Sequence, residues 1–342
     1  MISKAKFVLS KSKMMEQYSI MKSMCDTVSY SLKTNFEVGK LLDKETDCMF
    51  SVHSVASLEC LSDCKRAWFF AQGLNGSELD SVFSLKCESF VVDNRKDLQV
   101  LLNYIEKHSI SINLLLRMKL KENTIHTGKH FVFGMYSDEV NKLVPKLKKN
   151  KLVNKLGIHF HRKTQNISEW SMKTELEQVI TPETFEAIDI LNMGGGMPMR
   201  YKNSRTDKLF VKIFNEIETL RKWLVGKEFI IEPGRFIAAP CVQLETEIVN
   251  VYKNNIIVNA SVYNAAMDTF IAHVRLLVDG ELENGEGFTI KGCTPDSMDI
   301  FRYRVYLKNP KVGDKLVFLN AGAYNFKTDF CLLPQLETVI VD

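Results

Sequence analysis

Val28-Ser-Tyr-Ser-Leu-Lys-Thr-Asn35 reads as a short apolar strand that delivers a lysine, Lys33, to its end. Two readings of Lys33 stand at this point. If the strand is buried, the ammonium is costly to desolvate, its pKa falls, and the neutral amine can form a Schiff base with an aldehyde. If the strand lies at an edge, the lysine points into water. The surrounding chain decides between them.

Outward from this stretch the same texture recurs. Residues 48–52, 67–70, 89–92, 112–117, 156–161, 188–192 and 228–232 are apolar runs of strand length. Between them lie stretches with helical spacing of apolar residues: 56–63, 77–85 capped by Ser77, 97–108, 137–148 capped by Ser137, 181–187 and 204–224. Apolar strands alternating with helices imply a parallel sheet covered on its outer face. Eight such units in succession fit a (β/α)8 barrel better than an open doubly wound sheet. After Arg235 the texture changes, and 242–251, 256–261, 288–291, 301–307 and 315–319 read as strands separated by Gly and Asn turns. The expected organisation is an α/β TIM-like barrel over 11–237 and a second, mainly antiparallel β domain over 238–342. A strand within residues 1–10 is expected to join that β domain.

Bulk properties narrow the function classes. At 342 residues the chain suits one large domain plus a smaller one, and 45% hydrophobic with 25% charged residues is ordinary for a globular protein. A net charge of +4 is too small to argue for nucleic-acid or membrane binding, and the basic run Pro145-Lys-Leu-Lys-Lys-Asn-Lys-Leu-Val-Asn-Lys155 reads as a solvated helix end and loop. The eight cysteines show no disulfide framework, and Cys60 and Cys64 lack the second pair or spaced histidine that a zinc site needs. Lysines interrupt the start of the chain, and no apolar run approaches membrane-spanning length, so a cytoplasmic location is expected.

A barrel of this kind gathers its chemistry at the C-terminal ends of its strands. Lys33, Arg117, His161, the run Gly194-Gly-Gly196 and Glu232 all fall at or just beyond a strand end. Three glycines let backbone N–H groups close around an anion, though they also suit a flexible turn. In Glu232-Pro-Gly-Arg235 the guanidinium suits a phosphate and the carboxylate suits a ring nitrogen that must stay protonated; a plain surface ion pair is the other reading. His161 is placed to stack on a flat cofactor. His159 shares its alternating face, so one of the two is open to being core.

Taken together, these motifs resemble the fold type III pyridoxal-phosphate-dependent decarboxylases, the ornithine, arginine and diaminopimelate decarboxylase family. The resemblance runs through almost the whole chain. Tyr30-Ser-Leu-Lys-Thr-Asn35 is similar to the cofactor-lysine motif, and Phe133-Gly-Met135 to a short Phe-Gly segment. Ile158-His-Phe-His161 resembles the strand of the ring-stacking histidine. The triple glycine and Glu-Pro-Gly-Arg resemble the phosphate and ring-nitrogen motifs, and Asn320-Ala-Gly-Ala-Tyr324 resembles a late motif whose tyrosine reaches the phosphate. The resemblance implies an alanine-racemase-like barrel. Lys33 would hold pyridoxal 5'-phosphate covalently and His161 would stack on its ring. Arg235, Tyr324, Thr164 and the amides of Gly194, Gly195 and Gly196 would hold the phosphate, Glu232 would pair with the ring nitrogen, and Arg117 would orient the surroundings or serve as a structural ion-pair residue. Racemases of the related fold typically place an arginine at the ring nitrogen, so Glu232 implies decarboxylation.

The chain departs from the family in places. The family's Gly-Pro-Thr-Cys-Asp, whose cysteine donates a proton, corresponds to Gly292-Cys-Thr-Pro-Asp296 here. Asp296 matches the acidic reader of the distal substrate group, but Pro295 stands where the cysteine belongs. Cys293 would serve only from a re-formed loop, and Lys33 is the more natural acid. Ser54-Val-Ala-Ser57 lacks a common acidic residue. Ala272 falls where ornithine decarboxylases carry a second carboxylate, leaving Asp268 as the nearest acid for substrate binding or as a surface turn residue. The implied activity is a carboxy-lyase acting on the α-carboxylate of a basic amino acid, or of a larger molecule with an amino-acid end such as a 3-amino-3-carboxypropyl group. A catalytically silent regulator of the same fold and a racemase are the competing readings. The resemblance also implies a homodimer in which Asp296 enters the partner's pocket.

Overall fold

The computed structural model of the chain describes residues 4–120, 133–204, 206 and 209–342. Strand β1 (Lys6–Ser10) leads into a helix, Lys11–Met24, capped by Ser10, whose side chain accepts from the Lys13 amide. Eight strands follow: β2 (Thr27–Ser31), β3 (Met49–Val52), β4 (Ala67–Phe70), β5 (Ser89–Val92), β6 (Ile112–Arg117), β7 (Val153–His159), β8 (Ile190–Asn192) and β9 (Glu228–Ile231). Each pairs in parallel with the next, and β2 closes on β9 through Thr27↔Ile230 and Val28↔Ile231. The result is the expected closed (β/α)8 barrel.

Strand side chains alternate between faces, so every second residue points into the barrel. The outward set, including Tyr30, Phe50, Phe69, Leu116, Ile158 and Leu191, packs with the surrounding helices into the main core. The inward set forms a separate plug of Trp68, Val91, Leu115, Ile190 and Ile230, with Met49 and Phe70 against it. Gly157 makes room there: a Cβ on it would sit 2.3 Å from the Ile190 carbonyl oxygen and 2.6 Å from Leu115 Cδ2. One pleat further along the strands the inward residues turn polar, as Ser51, Arg117, His159, Asn192 and Glu232. The register Ser31↔Ser51, Arg117↔His159 and His159↔Asn192 puts them at a common level.

The second unit is an eight-stranded sheet built from β1 together with β10 (Val242–Tyr252), β11 (Asn255–Val258), β12 (Leu277–Val278), β13 (Gly287–Lys291), β14 (Ile300–Tyr306), β15 (Lys315–Leu319) and β16 (Glu337–Val341). Its main path runs β12-β15-β10-β11-β13-β14. Strand β1 pairs antiparallel with β10 and parallel with β16, as expected of an N-terminal strand that joins this sheet. Besides β1–β16, the β11–β13 pair is parallel, so the sheet is mainly antiparallel. Its core includes Ile248, Val258, Ile290 and the stacked pair Phe301 and Phe318, with ring centroids 4.8 Å apart.

Several local expectations are corrected. The helix expected over 56–63 is a single turn, Val55–Leu58, because Asp43 takes the Ser62 amide at 2.8 Å and pulls the chain away. Asn75, not Ser77, caps Gly76–Ser84 by accepting from the Glu78 amide, and Ser137 opens its helix while Tyr136 occupies the cap position. The helix expected over 204–224 is Phe210–Trp223; residues 205, 207 and 208 lie outside the described residues. In the basic run, the exposed side chains of Lys148 and Lys155 make surface ion pairs with Asp189 and Glu228 at 2.6 and 2.8 Å. Among the described residues no helix is long and apolar enough to cross a membrane.

Candidate active site

The polar layer at the barrel mouth converges on Glu232, one residue past β9 and 5% exposed. Its Oε1 accepts from Ser51 Oγ at 2.8 Å and from Asn192 Nδ2 at 2.9 Å, and its Oε2 lies 3.3 Å from His159 Nε2. Ser29 Oγ sits 2.9 Å behind Ser51 Oγ and extends the chain to β2. Burial alone would push the carboxyl pKa up. The neighbouring His159 and His161 and the hydrogen bonds from His159 and Ser51 outweigh it and pull the value down to about 2. Glu232 is therefore a fixed carboxylate. Sequence reasoning missed Ser51 and Asn192, although both lie on the inward face of their strands; His159, which it left open as core, is fully buried against Glu232.

A third layer stands two residues further on. Strand β7 ends at His159, so His161 lies beyond the strand rather than at its end. His161 Nδ1 accepts from the Gly195 amide at 3.1 Å, which leaves the ring proton on Nε2. His161 is exposed, and desolvation by the protein packed around the ring, with Arg117 nearby, lowers its pKa to about 3. Lys33 is the middle residue of a 3-10 turn, Leu32–Thr34, that follows β2. Lys33 is exposed, yet desolvation by the protein around it lowers the amine pKa; Glu232 opposes this and Arg117 adds to it. Strand β2 pairs with both β3 and β9 and is therefore no edge strand, while Lys33 itself, beyond its end, is exposed. Arg117 is half-buried, lies over the Phe133 ring at 5.6 Å, and its Nε has no partner among the described residues.

The glycines and Glu-Pro-Gly-Arg form the adjoining end. Gly194 and Gly196 have φ of +65° and +100°, and a Cβ on Gly195 would come within 2.7 Å of the Glu232 carbonyl oxygen. Two of the three amides expected to face a phosphate are engaged elsewhere: Gly194 N–H donates to Asn192 Oδ1 at 2.8 Å, and Gly195 N–H donates to His161. Arg235 is 3% exposed, donates through Nε to Thr164 Oγ1 at 3.2 Å and through a terminal nitrogen to Tyr201 Oη at 2.8 Å, and lies 5.2 Å over the Tyr324 ring. Tyr324, at φ +55°, also donates its amide to the Thr34 carbonyl at 3.0 Å, tying the late motif to the lysine turn. Burial opposes the Arg235 charge, but Tyr201 and Asp268 more than compensate and raise its pKa.

Asp268 is placed differently from the expectation that it reads substrate or caps a surface turn. It is fully buried and ion-paired with Arg235. Asp296 lies at a half-buried loop position, accepting from Tyr263 Oη at 3.0 Å and from the Met298 amide at 2.8 Å. It lines neither the cavity at Lys33 nor the one beside Arg117. The loop is wound about Asp299, which accepts from Ser261 Oγ, the Val262 amide and Thr294 Oγ1 at 2.9, 2.8 and 2.7 Å. Cys293 and Pro295 of this loop are exposed.

These features fit pyridoxal phosphate. They offer a reactive amine, a fixed carboxylate for a ring nitrogen, an arginine with hydroxyls at the far end, and a slot that a Cβ on Gly195 would obstruct. His159, His161 and Glu232 also bring ligand atoms within 4.8 Å of one another. In the structure the Gly195 amide occupies His161 Nδ1 and three donors surround Glu232, while His159 Nδ1 has no partner among the described residues.

Comparison with known proteins agrees with this geometry. The family described as "Pyridoxal-dependent decarboxylase, pyridoxal binding domain" matches residues 26–239. The chain is 24% identical over 328 residues to the diaminopimelate decarboxylase of Helicobacter pylori, covering 87% of this chain and 78% of that one. In fold it is similar to the lysine/ornithine decarboxylase of Vibrio vulnificus complexed with putrescine, with a TM-score of 0.80, 20% identity and coverage of 99% and 94%. It is similar also to the arginine decarboxylase of Paramecium bursaria Chlorella virus, with a TM-score of 0.79, 19% identity and coverage of 99% and 96%.

Proposed function

The chain belongs to the pyridoxal-dependent decarboxylases, and on that footing we propose that it removes the α-carboxylate of a basic amino acid, or of a larger molecule with an amino-acid end. The observation that carries the reaction type is Glu232, a buried carboxylate held ionised by Ser51, Asn192 and His159. Its negative charge would keep a proton on the ring nitrogen of the bound cofactor. Bound there, pyridoxal phosphate supplies the electron sink for the pair left behind when CO₂ departs.

The residues take the following roles in this reading. Lys33, whose amine pKa is lowered, would hold the cofactor covalently and later return a proton to the substrate carbon, since Pro295 has no side-chain proton to give. His161 offers a ring face, with its tautomer set by Gly195. Thr164, Gly196, Tyr324 and Arg235 would hold the phosphate; Gly194 and Gly195 would contribute close approach instead of amides. Arg117, with its free Nε facing the barrel mouth, orients the substrate side. Residues 11–237 form the cofactor-binding barrel, and 1–10 with 238–342 form the β domain, a division supported by the pairing of β1 with β10.

A basic substrate is supported by the exposed Asp296 loop and by the relatives, whose names span diaminopimelate, lysine, ornithine and arginine decarboxylation. Asp296 would reach the distal group of substrate held by a partner subunit. Met298, Phe330 and Leu332 are 58%, 41% and 87% exposed beside this loop, an apolar surface that suits a homodimer. The test is CO₂ release from the cofactor-loaded chain, across lysine, ornithine, arginine, diaminopimelate and amino-acid conjugates. Release from at least one basic substrate, with a visible cofactor band that borohydride abolishes, is expected. Inability to take up the cofactor would sink the reading.

A further inference from the structure

We propose that His53 is a positioning residue for Lys33, holding the free amine in place and resupplying its proton during turnover. The inference rests on the decarboxylase reading above. His53 lies two residues past Ser51, beyond the end of β3, and its Nε2 is 3.2 Å from Lys33 Nζ. Its imidazole stacks on Phe70 with centroids 4.9 Å apart and planes 13° from parallel, which fixes the ring. No carboxylate among the described residues lies within ion-pair distance of Nζ, so the imidazole is the amine's polar partner.

The pair also joins two cavities. His53, with Phe70, Asp93 and Arg117, lines one of about 240 Å³; Lys33 lines another of about 230 Å³ toward Asn325 and Phe326. A proton passing from His53 to Lys33 thus crosses from one cavity to the other. The charged and titratable groups around the imidazole are Lys33 after β2, Arg117 on β6, His159 on β7 and Glu232 after β9, with Asp93 after β5 sharing the cavity. Burial first, then Lys33 and Arg117, disfavour the imidazolium and lower the pKa to about 3, against Glu232. An imidazole in that state accepts a hydrogen bond from the lysine ammonium and relays protons without storing one.

The balance of the step is simple. The bond from Cα to the carboxylate breaks, CO₂ leaves, and its electron pair remains behind. Lys33 Nζ–H then gives one proton to Cα. His53 takes a proton from solvent in its cavity and passes it to Nζ, so the net change is R–CH(NH₃⁺)–CO₂⁻ plus H⁺ giving R–CH₂–NH₃⁺ plus CO₂.

Two variants test this, His53→Ala and His53→Gln. In the cofactor-free chain, competitive acetylation of Lys33 across pH, read by mass spectrometry, gives the midpoint of amine deprotonation. Loss of the acceptor in His53→Ala should lower that midpoint by about half a unit or more, while glutamine's carbonyl should hold it near wild type. In the loaded chain, kcat for CO₂ release should fall about 100-fold in both variants, with KM and the visible cofactor band unchanged and partial rescue of His53→Ala by added imidazole. A midpoint unmoved by His53→Ala, or wild-type kcat in both variants, overturns the proposal. A wild-type chain that releases no CO₂ from any basic substrate sinks the decarboxylase reading itself, an outcome separable from a failure of the relay.

Discussion

Asp268, on a short helix of the β domain, and Arg235, at the barrel rim, form an ion pair whose side chains are only 1% and 3% exposed. The second contact, from Arg235 to Asp268 Oδ1, is 3.3 Å. The acid once expected to read the substrate therefore anchors the arginine proposed for the phosphate end. Asp268→Ala leaves a buried guanidinium without its counter-charge, and a loss of about 3–5 kcal/mol is expected in denaturant unfolding. Cofactor affinity should weaken in parallel. A substrate reader would instead raise KM and leave the unfolding midpoint untouched.

Glu232 gives the fold an acid-sensitive term. Its native pKa of about 2 lies below the usual value of 4.5, so its contribution to stability is fully present above the unfolded value and is lost as pH falls from there toward the native one. Glu232→Gln should flatten the acid limb of stability between those two pH values. The same variant should cut kcat by about two orders of magnitude, because a neutral amide no longer holds the proton on the ring nitrogen.

Lys33 has a pKa lowered by burial, and capture of an aldehyde needs the neutral amine. The rate of cofactor uptake by the cofactor-free chain should rise with pH and level off below the ordinary lysine value of 10.5. Stopped-flow absorbance checks this, and Lys33→Ala should abolish the visible band while the chain stays folded. A midpoint at 10.5 would mean a solvated lysine.

Gly195→Ala places a Cβ 2.7 Å from the Glu232 carbonyl oxygen and 3.4 Å from His161 Cε1. Backbone cannot yield as a flexible side chain can, so the loop must shift and disturb the Gly195–His161 hydrogen bond. At least a tenfold weaker cofactor affinity is expected by titration, with a smaller change in thermal unfolding.

If the site is completed across a homodimer, mixing Asp296→Ala with Lys33→Ala subunits should restore activity through hybrid sites. Size-exclusion chromatography with light scattering should show a dimer of the 39.2 kDa chain. No recovery after verified subunit exchange would place Asp296 outside the site.

Much of this was legible in the residues because the barrel writes its chemistry at a regular offset. Polar residues on the inward face, two positions past the apolar plug, mark the mouth, and two further positions mark the reacting groups. Ser51 then His53, and His159 then His161, follow that rule on β3 and β7. His53 was missed because no motif flagged it; the period of two counted from Ser51 was the available signal.

By itself the sequence determined the barrel, the β domain with its borrowed N-terminal strand, the family, and the candidate set at the strand ends. Each is written in local periodicity or in contiguous motifs. Tertiary structure alone decided which groups meet. Asp268 turned inward to Arg235 across 33 residues, Ser51 met Glu232 across 181, and the Gly195 amide turned to His161 across 34. Those pairings depend on barrel closure and on docking of the β domain, which place residues distant in the chain at hydrogen-bonding range; no local pattern encodes them.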